Sequence, residues 1–325
     1  MSTSNQILIK GSLAQRRNGA KRYRVTNGLS LRLCAFAREI FSSSRAVIVL
    51  AKPEITFMVM ISAGVASFVA SGSLQVTVLV HSVVGIGLLA AGASILNQYL
   101  ERELDGKMRR TARRPLPASE IKARRALVMG VAISSAAMLY VLLLLNALTA
   151  LLGLLTLISY LFIYTPLKTK TSLCTFVGAF PGAAPVLMGW SATTNSLTLE
   201  AAALYAILFL WQFPHFYAIG LLYREDYARA GMLMLPSLEA NDKSTSTLIL
   251  VFTHLLIIAS VLLTVIAHTG TLYLLSAIIL GICFYPFAYQ ASVSASKLAA
   301  KRLLHASVIY LPLLYLFMIL DRINR

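Results

Sequence analysis

Asn97, Glu101 and Asp105 stand four residues apart in the most polar stretch of the chain. On an α-helix each step of four turns only about 40° and climbs about 6 Å, so the three side chains line one face. Two carboxylates and an amide are hard oxygen ligands, the kind Mg²⁺ takes together with its own waters and a phosphate. Arg109, Arg110, Arg113 and Arg114 follow at once, and forked guanidinium groups suit phosphate oxygens. Acids for a metal beside arginines for an anion are what a diphosphate needs. The same residues also read as a helix end laced with ion pairs, for instance Glu101 with Arg109. The residues alone leave both readings open.

The elements that must position this row are apolar. The chain has 325 residues, 58% of them hydrophobic and only 13% charged, a balance that argues for lipid as the solvent. Stretches of about 17–25 apolar residues, enough to cross ~30 Å of hydrocarbon, fall near 46–70, 77–97, 126–144, 147–164, 173–190, 201–222, 248–267, 271–290 and 304–320. The expected fold class is an all-α polytopic membrane protein, nine transmembrane helices in a bundle around a central cavity open to the cytoplasmic side. Helices are required because backbone groups in lipid must be satisfied within each segment. The tightest connection is the turn around Asn146. The expected domain organisation is a basic N-terminal tail over 1–45, a membrane domain over 46–320 and a C-terminal tail over 321–325.

Charge tests that placement. Of 29 Lys and Arg residues, 26 fall in the N-terminal tail and in alternate loops, at 98–125, 165–172, 223–247 and 291–303. The intervening loops hold none; Lys52 falls inside the first apolar stretch, and Arg322 and Arg325 end the chain. Such a bias puts the N-terminus and the basic loops on the cytoplasmic side, or the matrix side in an organelle, with the C-terminus opposite. The net charge of +17 therefore belongs to membrane orientation, and no nucleic-acid partner is expected. The Arg- and Ser-rich N-terminal stretch reads as a tail on anionic lipid heads, with a mitochondrial transit peptide as the alternative. Cys34, Cys174 and Cys283 are isolated, without metal-ligand or disulfide spacing.

The segment from Asn97 resembles the signature of the intramembrane aromatic prenyltransferases, the superfamily of 4-hydroxybenzoate polyprenyltransferase, with Glu101 in the first acidic slot where Asp is usual. Its continuation through Met108, Arg110, Thr111, Arg114, Pro115 and Leu116 is similar to the haem O synthase branch. Tyr164 to Thr171, with Lys168 and Lys170, resembles the family's Tyr-x3-Lys loop, although two such lysines are also ordinary membrane anchors. Pro214-His215-Phe216, and the run from Asp226-Tyr227 through Ala230-Gly231 to Pro236, resemble haem-branch segments. Tyr217 stands there in place of Trp, and Leu233 in place of Pro.

The resemblance implies a transferase of the inner (cytoplasmic) bacterial membrane, or alternatively the mitochondrial inner membrane. Its reaction would move a farnesyl group from farnesyl diphosphate to a vinyl group of haem B with addition of water, giving haem O. Downstream partners would be a haem A synthase or the assembly of a haem-copper terminal oxidase. It assigns Asn97, Glu101, Asp105, Glu225 and Asp226 to catalysis, with Mg²⁺ as cofactor on Asn97, Glu101, Asp105 and Asp226. Lys168, Lys170, Arg110 and Arg114 would bind diphosphate; His215, Arg110 and Arg114 would bind haem. A histidine at a helix end is also commonly bonded to a backbone carbonyl, the reading kept for His81, His254, His268 and His305. Two competing functions are prenyl transfer to a quinone precursor or chlorin, whose enzymes lack the Arg-Thr-x2-Arg-Pro-Leu and Pro-His-Phe segments, and transport. A transporter would carry its acids near the bilayer midplane, whereas here nearly all cluster at one membrane face.

Overall fold

The computed structural model describes residues 45–71, 75–239 and 243–324; the expected N-terminal tail, 1–45, lies outside them except for Arg45. Val49–Arg325 form one compact unit. Among the described residues, nine long helices run α1 Pro53–Ala70, α2 Val76–Lys107, α3 Ala123–Leu144, α4 Ala147–Ile158, α5 Cys174–Thr194, α6 Leu199–Leu222, α7 Lys243–Ile266, α8 Thr271–Ser294 and α9 Lys297–Ile323. No strand occurs among them. Eight spans are long and apolar enough to cross a membrane, α4 being counted with its helical continuation to Leu167. The other, α5, carries three glycines and two prolines in 21 residues, which dilute its apolarity, and most of it is buried in the bundle. Large apolar side chains such as Phe57, Leu143, Phe162, Val265 and Val293 point outward, as lipid-facing side chains of a multi-pass membrane protein do.

Local sequence sets the helix starts. Pro53 opens α1, where a missing N–H costs nothing. Asn146 caps α4 by accepting from the Thr149 N–H at 2.8 Å, and Ser296 caps α9 through Ala299. Small residues let helices approach: a Cβ at Gly189 would stand 2.1 Å from the Ala63 carbonyl oxygen, so α5 and α1 are packed backbone to backbone. Several helices exceed their apolar cores. α2 continues about three turns past Asn97, α7 starts before 248, and α9 begins before 304 and runs through 321–323. The charged ends stay helical because they pack on each other.

Hydrogen bonds sort the helix ends into two groups. At one end residue 52 meets 97, 101 meets 168, and 109 meets 226. At the other, 67 meets 193, 146 meets 191, 270 meets 321, and 322 meets 71. That is the alternation the loop charges implied.

Candidate active site

Asn97, Glu101 and Asp105 share one face of α2 as their spacing requires, and all three are buried, at 0%, 4% and 1% exposure. Burying carboxylates is costly unless they are paired. Each oxygen-bearing group here meets a nitrogen cation from a different segment. The Asn97 Oδ1 accepts from Lys52 Nζ at 2.9 Å. Glu101 Oε1 accepts from Lys168 Nζ at 2.6 Å. Both Asp105 oxygens accept from one Arg114 nitrogen, at 2.9 and 2.8 Å. The Glu101–Arg109 pair expected from spacing does not form, because α2 stays helical to Lys107 and Lys168 supplies a buried partner instead.

Lys168 is delivered by an irregular segment. After Ile158, α4 widens into a π-helix over Ser159–Tyr164 and returns to α-helix at Thr165–Leu167; π turns often mark functional sites. The Thr165 hydroxyl donates to the Tyr160 carbonyl at 2.8 Å and accepts from Asn97 Nδ2 at 3.1 Å. The amide oxygen of Asn97 is thereby turned toward Lys52. Tyr164 lies under the Lys168 ammonium, 4.6 Å from ring centre to Nζ. Burial works against that ammonium, but the Glu101 carboxylate beside it prevails and holds the Lys168 pKa well above its ordinary value.

A short helix, Arg224–Ala230, closes the charged end, stopping at Gly231 in the left-handed region (φ 71°) that glycine adopts freely. Its Asp226 accepts the backbone N–H groups of Arg109 and Arg110, both at 3.2 Å, and Arg229 at 2.9 Å. Burial pushes the Asp226 carboxyl up, yet those N–H groups and Arg229 outweigh it, so its pKa is held below the usual carboxylate value. Asp226 thus fixes the loop that carries Arg110 and Arg114. Arg110 bonds the Tyr227 hydroxyl at 2.9 Å and stacks over Tyr223, 4.4 Å from the ring centre. The Leu233 N–H donates to the Lys168 carbonyl at 2.7 Å, tying the segment after Gly231 to the Tyr164 loop.

The other expected site residues divide. Glu225 faces outward, 65% exposed on its side chain and paired with Lys297, and Lys170 is exposed. His215 lies seven residues before the end of α6 rather than at it. It stacks on Trp211, ring centres 4.6 Å apart, and its Nδ1 meets Ser307 Oγ at 2.9 Å. Its partners are Trp211 and Ser307, whereas the side chains of Arg110 and Arg114 bond Tyr227 and Asp105. With the Ser307 hydroxyl proton on the Leu304 carbonyl, 2.7 Å away, a neutral His215 donates to Ser307 from Nδ1 and keeps its lone pair on Nε2. A groove of about 430 Å³ lined by Pro286, Phe287, Tyr289, Gln290, Val293 and Ser294 contains none of these residues.

Sequence reasoning missed Lys52, Thr165, Arg229 and Ser307. The apolar pattern puts Lys52 inside the first stretch, but it sits in a break before α1, in the left-handed region at φ 49° and ψ 69°. A lone lysine before proline in an apolar run was the available signal. Burial and the neighbouring Arg114 pull its pKa down to about 7.

Among the described residues no group of three or more His, Cys, Asp and Glu is arranged to hold a metal by itself. The row suits a metal that draws on an amide, water and phosphate as well. Three buried oxygen groups point at three cationic nitrogens, so the space they face already favours positive charge.

Comparison with known proteins bears on the family and the fold. The UbiA prenyltransferase family profile matches residues 57–312. The protoheme IX farnesyltransferase of Solibacter usitatus is 43% identical over 288 residues, covering 86% of this chain and 99% of that protein. That of Koribacter versatilis is 39% identical over 284 residues, covering 84% and 92%. In three dimensions the chain is similar to a structure described as digeranylgeranylglyceryl phosphate synthase, with a TM-score of 0.72 at 16% identity over 86% of this chain and 99% of that one. It is also similar to a UbiA homologue from Archaeoglobus fulgidus bound to GPP and Mg²⁺, with a TM-score of 0.61 at 14% identity over 84% and 99%. By sequence and by fold, this chain belongs to the UbiA prenyltransferase family.

Proposed function

We propose that this transferase moves a farnesyl group from farnesyl diphosphate to a vinyl group of haem B, with addition of water, giving haem O. The single observation that carries the reading is the buried row Asn97–Glu101–Asp105 faced by Lys52, Lys168 and Arg114. It is supported by the haem-farnesylating relatives and by the diphosphate-bound neighbour of the same fold. Asn97, Glu101 and Asp105 would hold Mg²⁺, which when bound neutralises the charge that develops on the departing diphosphate. Lys168, Arg114 and Arg110 would turn from their present partners toward phosphate oxygens. Asp226 enters as the residue that fixes the loop of Arg110 and Arg114, with Glu225 and Lys170 at the outer rim.

Bond formation asks for no nucleophile from the protein. The C1–O bond of the allylic diphosphate breaks, the vinyl π electrons attack C1, and water adds to the cation left beside the porphyrin and loses a proton. What the chain supplies is charge stabilisation and placement. His215, its Nε2 lone pair available, is the proposed axial contact of the haem iron. The bundle would stand in the bacterial inner membrane with nine spans, a cavity open to the cytoplasm and the N-terminus on that side, and its product would pass to haem-copper oxidases.

The test is incubation of the purified protein with haem B, farnesyl diphosphate and Mg²⁺, followed by mass spectrometry of the haem. A product heavier by farnesyl plus water is expected. Prenylation of 4-hydroxybenzoate with haem untouched would reject the acceptor.

A further inference from the structure

A polar strip crosses the outward faces of α7, α8 and α9, where lipid-facing side chains are expected to be apolar. His254 is exposed on α7, about 16 Å along the axis from the helix start at Lys243. An ionisable side chain at such depth ordinarily turns into the bundle. One turned outward calls for a partner that arrives from the bilayer.

The backbone-carbonyl bond expected of His254 forms, and it prepares the ring. The Leu250 carbonyl, 2.8 Å from Nδ1, can only accept, so Nδ1 donates and a neutral imidazole keeps its lone pair on Nε2. Among the described residues no hydrogen bond uses that lone pair. Metal-binding histidines are commonly oriented in this way, one ring nitrogen on a carbonyl and the other free.

Aromatic walls lead from His254 toward the charged face. Its ring centre lies 5.1 Å from that of Tyr285, and Tyr285 stacks on Tyr289 at 6.3 Å. Tyr289 lines the groove of about 430 Å³ with Phe287, Gln290 and Val293. There Arg302 of α9 donates to the Gln290 amide oxygen at 3.3 Å and forms no ion pair among the described residues. Tyr285 and Gln290 mark the levels of His254 and Arg302 on α8, about 7.5 Å apart along the axis.

A free imidazole nitrogen, flat aromatic walls and a guanidinium without an acid, nearer the charged face, fit one kind of occupant. An iron porphyrin is flat and apolar, takes an axial nitrogen at its centre and carries carboxylates on one edge. An anionic lipid would answer Arg302 and the groove but leave His254 without a partner. We propose that this strip is a second haem site, where haem B entering from the bilayer is held by His254 on iron and Arg302 on a propionate. It rests on the haem-prenylating reading and adds a docking point to the acceptor's path, since α6, which carries His215, packs against both α7 and α9.

His254→Leu suits lipid and should leave the fold intact, while Arg302→Gln removes the charge. The full-length protein in nanodiscs is titrated with haem B and followed by its Soret band, with and without His215→Ala. Wild type should bind a second haem equivalent that survives His215→Ala. His254→Leu should weaken that equivalent more than about a hundredfold, beyond what the outer partners of a metal histidine contribute. Arg302→Gln should weaken it about tenfold, the scale of one charge-assisted hydrogen bond. KM for haem B should rise in both variants, while KM for farnesyl diphosphate holds. A single haem equivalent in wild type would overturn the proposal. So would unchanged haem binding in His254→Leu, and if that variant then altered the oligomeric state, the strip would be a protein interface. Wild type that binds both equivalents but prenylates no haem would strike the prenyl-transfer reading and leave this site standing.

Discussion

Both ends of the helix bundle bury acids, but Asp321 at one end and the Glu101–Asp105 row at the other are satisfied differently. Asp321, on the last turns of α9, accepts the backbone N–H groups of Gly270 and Tyr273 at 2.7 and 3.2 Å, so it caps α8 with donors that cannot leave. Nearby helix ends are likewise closed by short side chains on fixed backbone, as with Asn146 on the Ser191 carbonyl at 2.7 Å. Glu101 and Asp105 at the charged end instead meet the tips of long, jointed side chains, Lys168 and Arg114. A backbone donor commits an acid to one geometry. A lysine or arginine tip can be exchanged for a metal and redirected to an anion, so only the second arrangement can serve a reaction.

The comparison breaks most easily at Asp105. Asp105→Ala removes a proposed metal ligand and the partner of Arg114 together, and turnover should fall at least about 10³-fold, several kcal/mol of transition-state charge stabilisation. Removing one member of a buried pair costs ~3–5 kcal/mol at most. Arg114 keeps 28% of its side chain exposed, so the loss in thermal stability should sit below that range. Turnover within tenfold of wild type would place Asp105 with Asp321, as a structural acid.

Lys168→Met should act less strongly, lowering kcat/KM about 10²-fold, the scale of one charge-assisted hydrogen bond. The backbone bond from Leu233 to the Lys168 carbonyl survives this change, so the neighbouring loop should keep its place. Steady-state assays with farnesyl diphosphate varied would check it, and an unchanged KM and kcat would reduce Lys168 to the anchor its sequence context also allowed.

How much of this was legible in the sequence follows from the range of each interaction. Helices and their two-sided arrangement were readable because apolar length and the placement of bases are local properties. So was the shared face of Asn97, Glu101 and Asp105, which needs only helical periodicity. Their partners were not. Lys168 lies 67 residues from Glu101 and Lys52 lies 45 from Asn97, and no period connects them. Helix extents were underestimated because charged turns, read as loops, are stabilised by packing on other charged turns. His215 was placed with Arg110 and Arg114 on resemblance, but α6 runs on to Leu222 and leaves it inside the bundle.

At the opposite end the effect should fall on stability alone. Asp321→Ala leaves the N–H groups of Gly270 and Tyr273 without their carboxylate, a cost of about 2 kcal/mol. The unfolding midpoint in detergent should drop by roughly 5 °C, while kcat per folded enzyme and haem affinity remain at wild-type values. A large fall in kcat at unchanged folded fraction would mean that the two ends are coupled and the contrast between them is false.

The mildest change tests a polar pair set between the two ends, His215 and Ser307. Ser307 uses its proton on the Leu304 carbonyl and so obliges His215 to donate from Nδ1. In Ser307→Ala that obligation disappears, and the imidazole can carry its proton on either nitrogen and rotate against Trp211. The Trp211 indole N–H should keep the ring's neighbour in place, since it donates to the Ser307 backbone carbonyl at 2.8 Å. Partners that orient a metal-binding histidine are commonly worth ten- to a hundredfold in affinity. With the stacking retained, the lower figure applies, so haem B affinity read from the Soret band should weaken about tenfold, with diphosphate binding unchanged. His215→Ala should shift the band itself, because it removes the proposed ligand and not merely its orientation. If Ser307→Ala and His215→Ala both leave band position and haem affinity untouched, His215 is a packing residue, and the haem must be held by the charged end alone.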